Sequence, residues 1–487
     1  MSARTGTAAA GGPEPPAGGA AAAAKDLRSF LAELDADPRH GLLRIAREVD
    51  PHHELSAVVK RLEERGNPAV LFERVRGSEL PVLVSLCGTR RRIAFALGES
   101  VASAVPAFLH HLDHPIAART VASGPVKEVR QLGAEVDLDA LPIPVHTKVD
   151  GGRYLTAAIG VVRDPATGNV NMGIYRMMVK GRDRLTVWPA RPHDLAKVVD
   201  RARELGEEVQ FAIVIGHHPA LAISSQGKNE MTTDAFALAG ALAGAPLEVT
   251  GGETVDLAVP ARAEIVIEGR ILPDVVEQEG PFGEFTYYAG ATRAPVCEVS
   301  AITRRRDAIF VDLHPTHPEH RELWIFPARE ARLTQRLREA VPGVAGVHIP
   351  QHGAGMTAYV AIDPVHDADA RRALTIVLAS DTYIKHAIAV NSDVDITDDR
   401  EVVWALGVRF QADRDMMVLP NSRGMPLDPS SYSLTGRLDR GGMTTKVGFD
   451  ATTPVGVPFP ERVDGLPEAY ADLDLADYLP AGWTGAP

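Results

Sequence analysis

Residues 276–290 read VEQEGPFGEFTYYAG, with Glu277, Glu279 and Glu284 crowded about Gly280, Pro281 and Gly283. Proline has no backbone N–H and fixes φ, while glycine tolerates φ > 0, so residues 280–283 predict a tight turn, neither helix nor strand. That turn sets Glu279 and Glu284 at its two ends. The preceding residues AEIVIEGRIL (263–272) cluster β-branched side chains and predict a strand that feeds the turn from a rigid sheet. Two carboxylates on a strand-anchored loop suit acid/base chemistry, because one can be kept protonated while its neighbour stays ionised. The plainer reading is a solvated acidic hairpin.

Working outward, NVNMGIYRMMVKG (169–181) predicts a strand with Asn171, Gly173 and Tyr175 on one face and Met172, Ile174 and Arg176 on the other. An arginine sharing a face with apolar residues needs an anionic partner, and Glu279 and Glu284 are the candidates. The alternative is an arginine snorkelling at a sheet edge. Further strands are predicted at 154–164, 184–190, 209–216 and 296–313, with helices at 193–206 and 233–244. So many antiparallel-looking strands with few helices predict a central β-barrel over residues 116–320.

On either side the pattern alternates. KDLRSFLAELDAD (25–37) and HELSAVVKRLEER (53–65) read as helices, with strands at 42–50 and 69–75, which predicts a small α/β domain over residues 25–115. Helices at 329–341, 368–380 and 400–410, with strands at 357–363 and 384–390, predict a second α/β domain over residues 321–487. Residues 1–24 are Ala, Gly and Pro with almost nothing to bury, and read as a disordered tail.

A chain of 487 residues, 45% hydrophobic and 24% charged, has the composition of a globular protein. Its net charge of -13 argues against nucleic acid or an anionic membrane as the main partner, since both need a basic face. No apolar run is long enough to span a bilayer. Cys87 and Cys297 are the only cysteines, so there is no disulfide framework, and a reducing cytoplasm is expected.

Asn171, His193 and Asp234 would supply an amide oxygen, an imidazole and a carboxylate, a mixture that suits Mn²⁺ or Mg²⁺ better than structural zinc. A lone histidine at a helix start is usually a cap or surface group. His314, His317 and His320 in LHPTHPEH resemble zinc ligands, but Pro315 and Pro318 are expected to exclude a helix aligning them. QHGAGMTAY (351–359) matches neither a P-loop nor a dinucleotide fingerprint, Asp393 and Asp395 read as a structural acidic loop, and no G-x-S-x-G elbow occurs.

Taken together, NMGIYRMMVKGRDRL (171–185), PHDLA (192–196), AISS (222–225), DLAVPARAEIVIEG (256–269), EGPFGEFTYY (279–288), IKHAIAVNSDVDITDDREVVWAL (384–406) and KVGFDAT (446–452) resemble the UbiD family of prenylated-FMN-dependent decarboxylases. The resemblance implies an N-terminal α/β domain, a split β-barrel holding the flavin and a C-terminal α/β domain, assembled as a homodimer or homohexamer. It implies reversible, non-oxidative decarboxylation of an aromatic, heteroaromatic or α,β-unsaturated carboxylic acid through a covalent adduct with prenylated FMN, which a flavin prenyltransferase supplies.

The same resemblance implies that Arg176, Glu279 and Glu284 are catalytic. Arg176 is expected to orient the substrate carboxylate with paired N–H donors, Glu284 to protonate the carbon that loses CO₂, and Glu279 to position Arg176. Cofactor contacts are implied for Asn171, Met172, Gly173, Ile174, Tyr175, Arg176, Pro192, His193, Ser224, Ser225, Asp234 and Lys385. Asn171, His193 and Asp234 would bind the divalent metal, Ser224 and Ser225 would help hold K⁺, and Lys385 would contact the flavin phosphate. Asp234 stands where the family usually has Glu, and Pro192 where it often has Gln. Two rival functions are a non-catalytic cofactor-binding subunit and a plain FMN oxidoreductase on a split barrel.

Overall fold

Two long strands form the spine of the molecule. Ile265–Glu279 and Thr292–Arg304 pair antiparallel, and the ladder slips twice, between Glu268 and Gly269 and between Leu272 and Val276. The second slip has a cause in the sequence. Pro273 cannot donate to the ladder, so pairing passes from Leu272–Val296 to Val276–Pro295 and the residues between are left out. Beyond the slip the ladder resumes and runs to Glu279, paired with Thr292, at the edge of the turn.

The computed structural model describes residues 24–190, 193–227, 234–425, 427–431, 442–463, 474 and 477–479. Residues 1–23, almost the whole expected tail, and Pro192 lie outside these. Around the spine the central sheet is wholly antiparallel, in the order Tyr154–Leu155, Met177–Val179, Arg184–Val187, Thr292–Arg304, Ile265–Glu279, Val209–Ile215, Ile159–Arg163, Val170–Ile174, with Val129–Leu132 added to Thr292–Arg304. The sheet curls into a half-barrel, in keeping with the expected split β-barrel. Val209–Ile215 is buried along almost its whole length because it is covered on both faces, as its unbroken apolar run requires.

The N-terminal sheet runs Leu42–Ile45, Ala69–Phe72, Val82–Val84, Phe310–Asp312. Its fourth strand comes from the far end of the central segment, so the first two domains are stitched together. The C-terminal sheet has the order Val344–His348, Thr357–Ile362, His386–Val390, Met443–Ala451, Met416–Arg423, with helices Ala328–Ala340 and Ala368–Ser380 packed on it. A mixed α/β architecture with two α/β domains flanking a curled sheet is therefore what the chain forms.

Two local expectations need correction. The strand read over residues 169–181 is broken at Tyr175 and Arg176: Val170–Ile174 pairs with Ile159–Arg163, whereas Met177–Val179 pairs with Tyr154–Leu155 and Arg184–Val187. Arg176 sits where the chain changes neighbours. Within residues 280–283, Gly280 makes the turn at φ 87°, but Phe282–Gly283 pairs with Tyr288–Ala289 as a short ribbon. As expected, no helix aligns His314, His317 and His320: Pro318 opens helix Pro318–Ile325, where its missing N–H costs nothing, with His317 as the N-cap and His314 outside it.

Candidate active site

The break at Tyr175–Arg176 aims the arginine at the acidic turn. Arg176 donates Nε to Glu279 Oε1 at 3.0 Å and Nη2 to Glu279 Oε2 at 2.9 Å, while Nη1 donates to Glu284 Oε1. The guanidinium lies between aromatic faces, 4.0 Å from the Trp188 ring centroid and 4.8 Å from that of Phe282. All three charged side chains are buried, Glu279 completely. Burial works against the charge on Arg176, but Glu284 and Glu279 outweigh it and hold its pKa above the ordinary value. The Glu279–Arg176–Glu284 contact anticipated from the sequence is thus present. One detail differs: the paired donors expected to face a substrate carboxylate are filled by Glu279.

Tyr154 fixes the turn from beneath. Its hydroxyl accepts the Gly280 N–H at 3.0 Å, and its ring packs against Phe282 at 4.5 Å, tilted by 53°. Burial, reinforced by Glu279, pushes the phenol above its ordinary pKa, so Tyr154 stays neutral. Asp150 accepts the Gly283 N–H at 2.9 Å, and the turn is held from both sides.

Arg176 and Glu284 open onto a cavity of about 460 Å³, in the size range of cofactor and substrate sites. Its wall on the half-barrel side includes Gly173, Ile174, Tyr175, Trp188 and His193, and the opposite wall comes from helices Pro318–Ile325 and Ala328–Ala340 and the segment 380–383. Glu284 lines this cavity, whereas Glu279 lies behind Arg176. His320 also lines it, edge-on to Phe285 at 5.3 Å, and burial lowers its pKa, keeping the imidazole neutral.

Gly173 is there for space. A Cβ at this position would sit 2.6 Å from the Tyr175 hydroxyl. The Tyr175 ring folds over it, and its hydroxyl donates to Asn171 Oδ1 at 3.1 Å. With a roomy cavity walled by Gly173, Tyr175 and Trp188, the site fits a planar flavin.

The metal set fits less well. Asn171 Oδ1 accepts from Tyr175, and its amide reaches Asp194 Oδ2 at 3.4 Å. Met172 is buried in the core beneath the sheet. His193 caps helix Asp194–Leu205 by position, with its ring centroid 6.3 Å from that of Tyr175. Asp234 is exposed and acts as the N-cap of Ala235–Ala243, Oδ1 accepting from Phe236 N at 2.9 Å and Ala237 N at 3.2 Å. Among the described residues no three acidic, histidine or cysteine side chains form a metal cluster, and this includes His314, His317 and His320. The Ser224 and Ser225 hydroxyls donate to the helix carbonyls of Leu221 and Ala222 at 2.9 and 2.7 Å. Lys385 is paired with Asp428 at 2.9 Å and does not line the cavity. Asp393 holds Arg409 with two hydrogen bonds, as its structural reading anticipated.

Sequence reasoning did not find Trp188, Trp324, Arg329, Arg332 or Tyr383 and weighed His320 only as a metal ligand, yet all six line the cavity. One signal was available: the Arg329–Arg332 pair opens an otherwise regular amphipathic helix on its buried side.

A curled antiparallel sheet whose wall carries this buried arginine and two glutamates has close counterparts among known proteins. Residues 36–112, 119–318 and 324–451 match the N-terminal, Rift-related and C-terminal domains of 3-octaprenyl-4-hydroxybenzoate carboxy-lyase. The class is therefore that of the carboxy-lyases, enzymes that decarboxylate. The chain is 33% identical over 435 residues to the anhydromevalonate phosphate decarboxylase of Methanothermobacter thermautotrophicus, covering 88% of this chain and 97% of that protein. The structure of HmfF, a UbiD-class enzyme from Pelotomaculum thermopropionicum, in complex with FMN superposes with a TM-score of 0.86 at 39% identity, covering 93% of this chain and 100% of that one. An evolved dimeric form of HmfF in complex with prFMN gives 0.83 at 36% identity, covering 94% and 100%. The apo 3,4-dihydroxybenzoic acid decarboxylase of Klebsiella pneumoniae gives 0.81 at 28% identity, covering 92% and 99%. The chain belongs to the UbiD family and is a UbiD-type decarboxylase.

Proposed function

We propose that this chain catalyses the reversible, non-oxidative decarboxylation of an aromatic, heteroaromatic or α,β-unsaturated carboxylic acid, with prenylated FMN as its cofactor. The observation that carries the reading is the asymmetry of the two glutamates about Arg176. Glu284 reaches the cavity, and Glu279 is sealed behind the guanidinium. Prenylated FMN, when bound, supplies the electron sink that no side chain offers to a carbon losing CO₂. The FMN and prFMN complexes of HmfF support that cofactor.

The residues then divide the work. Glu279 fills the fork of Arg176 and fixes its plane, leaving the outer N–H groups on Nη1 and Nη2 to meet the substrate carboxylate. Glu284, tethered through one oxygen, is the group positioned to deliver a proton to the carbon that has lost CO₂. Phe282, Trp188 and the neutral His320 keep water from competing for that carbon. Ile174, Tyr175 and Gly173 form the wall against the flavin. A divalent metal and K⁺ are proposed only as far as Asn171, His193, Ser224 and Ser225 allow, with Asp234 joining after leaving its cap. We also propose a cytoplasmic homodimer or homohexamer served by a flavin prenyltransferase.

The test is to co-express the chain with a flavin prenyltransferase and assay CO₂ release from a panel of aromatic and enoic acids. Glu284→Gln should retain flavin at the wild-type level and lose turnover. Full activity in that variant would remove Glu284 from the proton-donor role.

A further inference from the structure

The acidic turn has two ends, and separate side chains of one short segment hold them. Residues 146–154 read HTKVDGGRY and run along residues 280–283. Tyr154 takes the Gly280 N–H, beside Glu279, and the Gly151 N–H reaches the Pro281 carbonyl at 2.8 Å. Asp150 serves the other end. Its Oδ1 accepts the Gly283 N–H at 2.9 Å, one residue before Glu284, and the Thr147 hydroxyl at 2.6 Å. Its Oδ2 accepts the amides of Thr147 and His146 at 2.8 and 3.2 Å. The approach is so close that neither glycine on the seam has room for a side chain. A Cβ at Gly151 would meet the Gly280 carbonyl oxygen at 2.5 Å, and one at Gly283 would meet Thr147 Cγ2 at 2.6 Å.

The segment that carries Asp150 is itself braced by the N-terminal domain. His146 is buried, and its Nε2 stands 3.0 Å from both carboxylate oxygens of Asp312, the last residue of strand Phe310–Asp312. His53, at the start of helix Glu54–Leu62, places its Nε2 3.1 Å from the Thr147 carbonyl oxygen and donates its backbone N–H to the Val145 carbonyl at 3.1 Å. A path of hydrogen bonds thus runs from the N-terminal sheet through His146 and Asp150 to the backbone that carries Glu284. The Glu284 carboxyl is tethered through one oxygen, to Arg176, so the placing of its backbone decides where the other oxygen points.

We propose that Asp150 is the positioning residue for the proton donor: through the Gly283 amide it fixes the reach of Glu284 to the carbon that loses CO₂. Tyr154 does the corresponding work for Glu279 and, through it, for the plane of Arg176. The inference rests on the decarboxylase reading and adds how its acid is aimed. Turning a carboxylate into CO₂ and a C–H bond takes up one proton per turnover. That proton passes from the Glu284 oxygen to carbon, so a displaced turn falls on this transfer. The role calls for a carboxylate because both oxygens of Asp150 face donors. An amide would set its NH₂ against either the Gly283 N–H or the two loop amides.

The full chain, co-expressed with a flavin prenyltransferase, is compared as wild type, Asp150→Asn and Thr147→Val. Steady-state CO₂ release is followed on the acid of the aromatic and enoic panel that turns over fastest, with exchange of its product's C–H in D₂O and amide hydrogen exchange across residues 280–288. Product exchange uses the acid without any CO₂ leaving, because a group that gives a proton to carbon also takes it back. Thr147→Val removes one donor to Asp150 and keeps the Gly283 contact, so it reports what loosening the loop costs by itself. With flavin absorbance retained, Asp150→Asn should lower kcat about 10- to 100-fold and product exchange by the same factor, leave KM within about twofold, and speed amide exchange at Gly283. Thr147→Val should stay within about threefold of wild type in kcat. Should Asp150→Asn melt below the assay temperature, Asp150→Glu, which keeps both oxygens on a longer stem, is read against the same limits. A kcat within about threefold of wild type overturns the assignment. So does a fall carried by KM with product exchange intact, which would put Asp150 in substrate binding, and so does an equal fall in Thr147→Val, which would leave the loop a purely structural part. If wild type releases CO₂ from no acid, the decarboxylase reading fails, and the clamp is judged on amide exchange alone, where unchanged protection of Gly283 in Asp150→Asn overturns it.

Discussion

Replacing Arg176 with lysine tests whether the geometry of a guanidinium, beyond its charge, organises the site. The arginine makes three charge-assisted hydrogen bonds, two as a fork to Glu279 and one to Glu284. An ammonium on a shorter stem keeps the positive charge between the two carboxylates but presents one point, and reaches one of them well. Two bonds at about 1.5–3 kcal/mol each are then lost, or about 3–6 kcal/mol shared between the free enzyme and the transition state. The stacking on Trp188 at 4.0 Å weakens as well, since an ammonium has no flat face. If the plane of Arg176 is what aims Glu284 and receives the substrate carboxylate, most of this falls on catalysis. The expected fall in kcat/KM is ~10²- to 10⁴-fold at about 1.4 kcal/mol per decade. Because the positive charge stays between the two buried carboxylates, the fold and the flavin content should survive. The assay is steady-state CO₂ release on the reconstituted enzyme, with flavin absorbance and a thermal melt as controls. An Arg176→Lys enzyme within about threefold of wild type would show that charge alone suffices, and the positioning role given to Glu279 would fall with it.

Gly173→Ala places a methyl 2.6 Å from the Tyr175 hydroxyl, so the variant should lose about 1–3 kcal/mol of stability and much of its bound flavin, measured by chemical denaturation and absorbance. Asp234→Ala should lose about 1 kcal/mol as a broken helix cap, while Asp234→Asn, an equally good cap, should keep it. Metal content by mass spectrometry then reports separately whether Asp234 is a ligand, since asparagine would hold a divalent ion less well. Glu319 is buried and receives the Cys87 N–H at 2.6 Å, yet burial raises its pKa from 4.5 to about 7. Between those pH values the native state binds the proton that the unfolded state has lost, so stability falls as pH rises from about 4.5 to 7, by about 3 kcal/mol in all. Glu319→Gln should therefore melt higher than wild type at pH 8 and close to it at pH 5, and parallel pH profiles for the two would contradict this.

The parts of the fold legible beforehand are those where local pattern and tertiary need agree. The helices Leu27–Ala36, Asp194–Leu205 and Ala368–Ser380 carry amphipathic repeats, and Val209–Ile215 is an unbroken apolar run. The meeting of Arg176 with Glu279 and Glu284 was legible because buried charge must find its opposite. That Arg176 lies off the strand was not, because NVNMGIYRMMVKG alternates without a turn residue at the break, and the switch of partners is imposed by other strands. The edge strand Met416–Arg423 was missed for a similar reason. It carries Pro420 and a residue with positive φ, Asn421, and its register shifts between Leu419 and Ser422. The far wall of the cavity was invisible for a different reason: Trp324, Arg329 and Tyr383 come from three segments whose meeting depends on how the C-terminal domain seats on the half-barrel.

That seating gives the cavity a polarity. At the half-barrel wall one guanidinium faces two carboxylates, and at the C-terminal wall two guanidiniums share one carboxylate. Both centres use the same device, a buried arginine held flat by aromatic rings and aimed by an acid. In a water-poor space between low-dielectric walls such charged groups act over the whole site. The two walls belong to different domains, so the site is complete only while both stay in place, and disturbing the contact of helix Ala328–Ala340 with helix Pro219–Gln226 should cost activity before it costs stability.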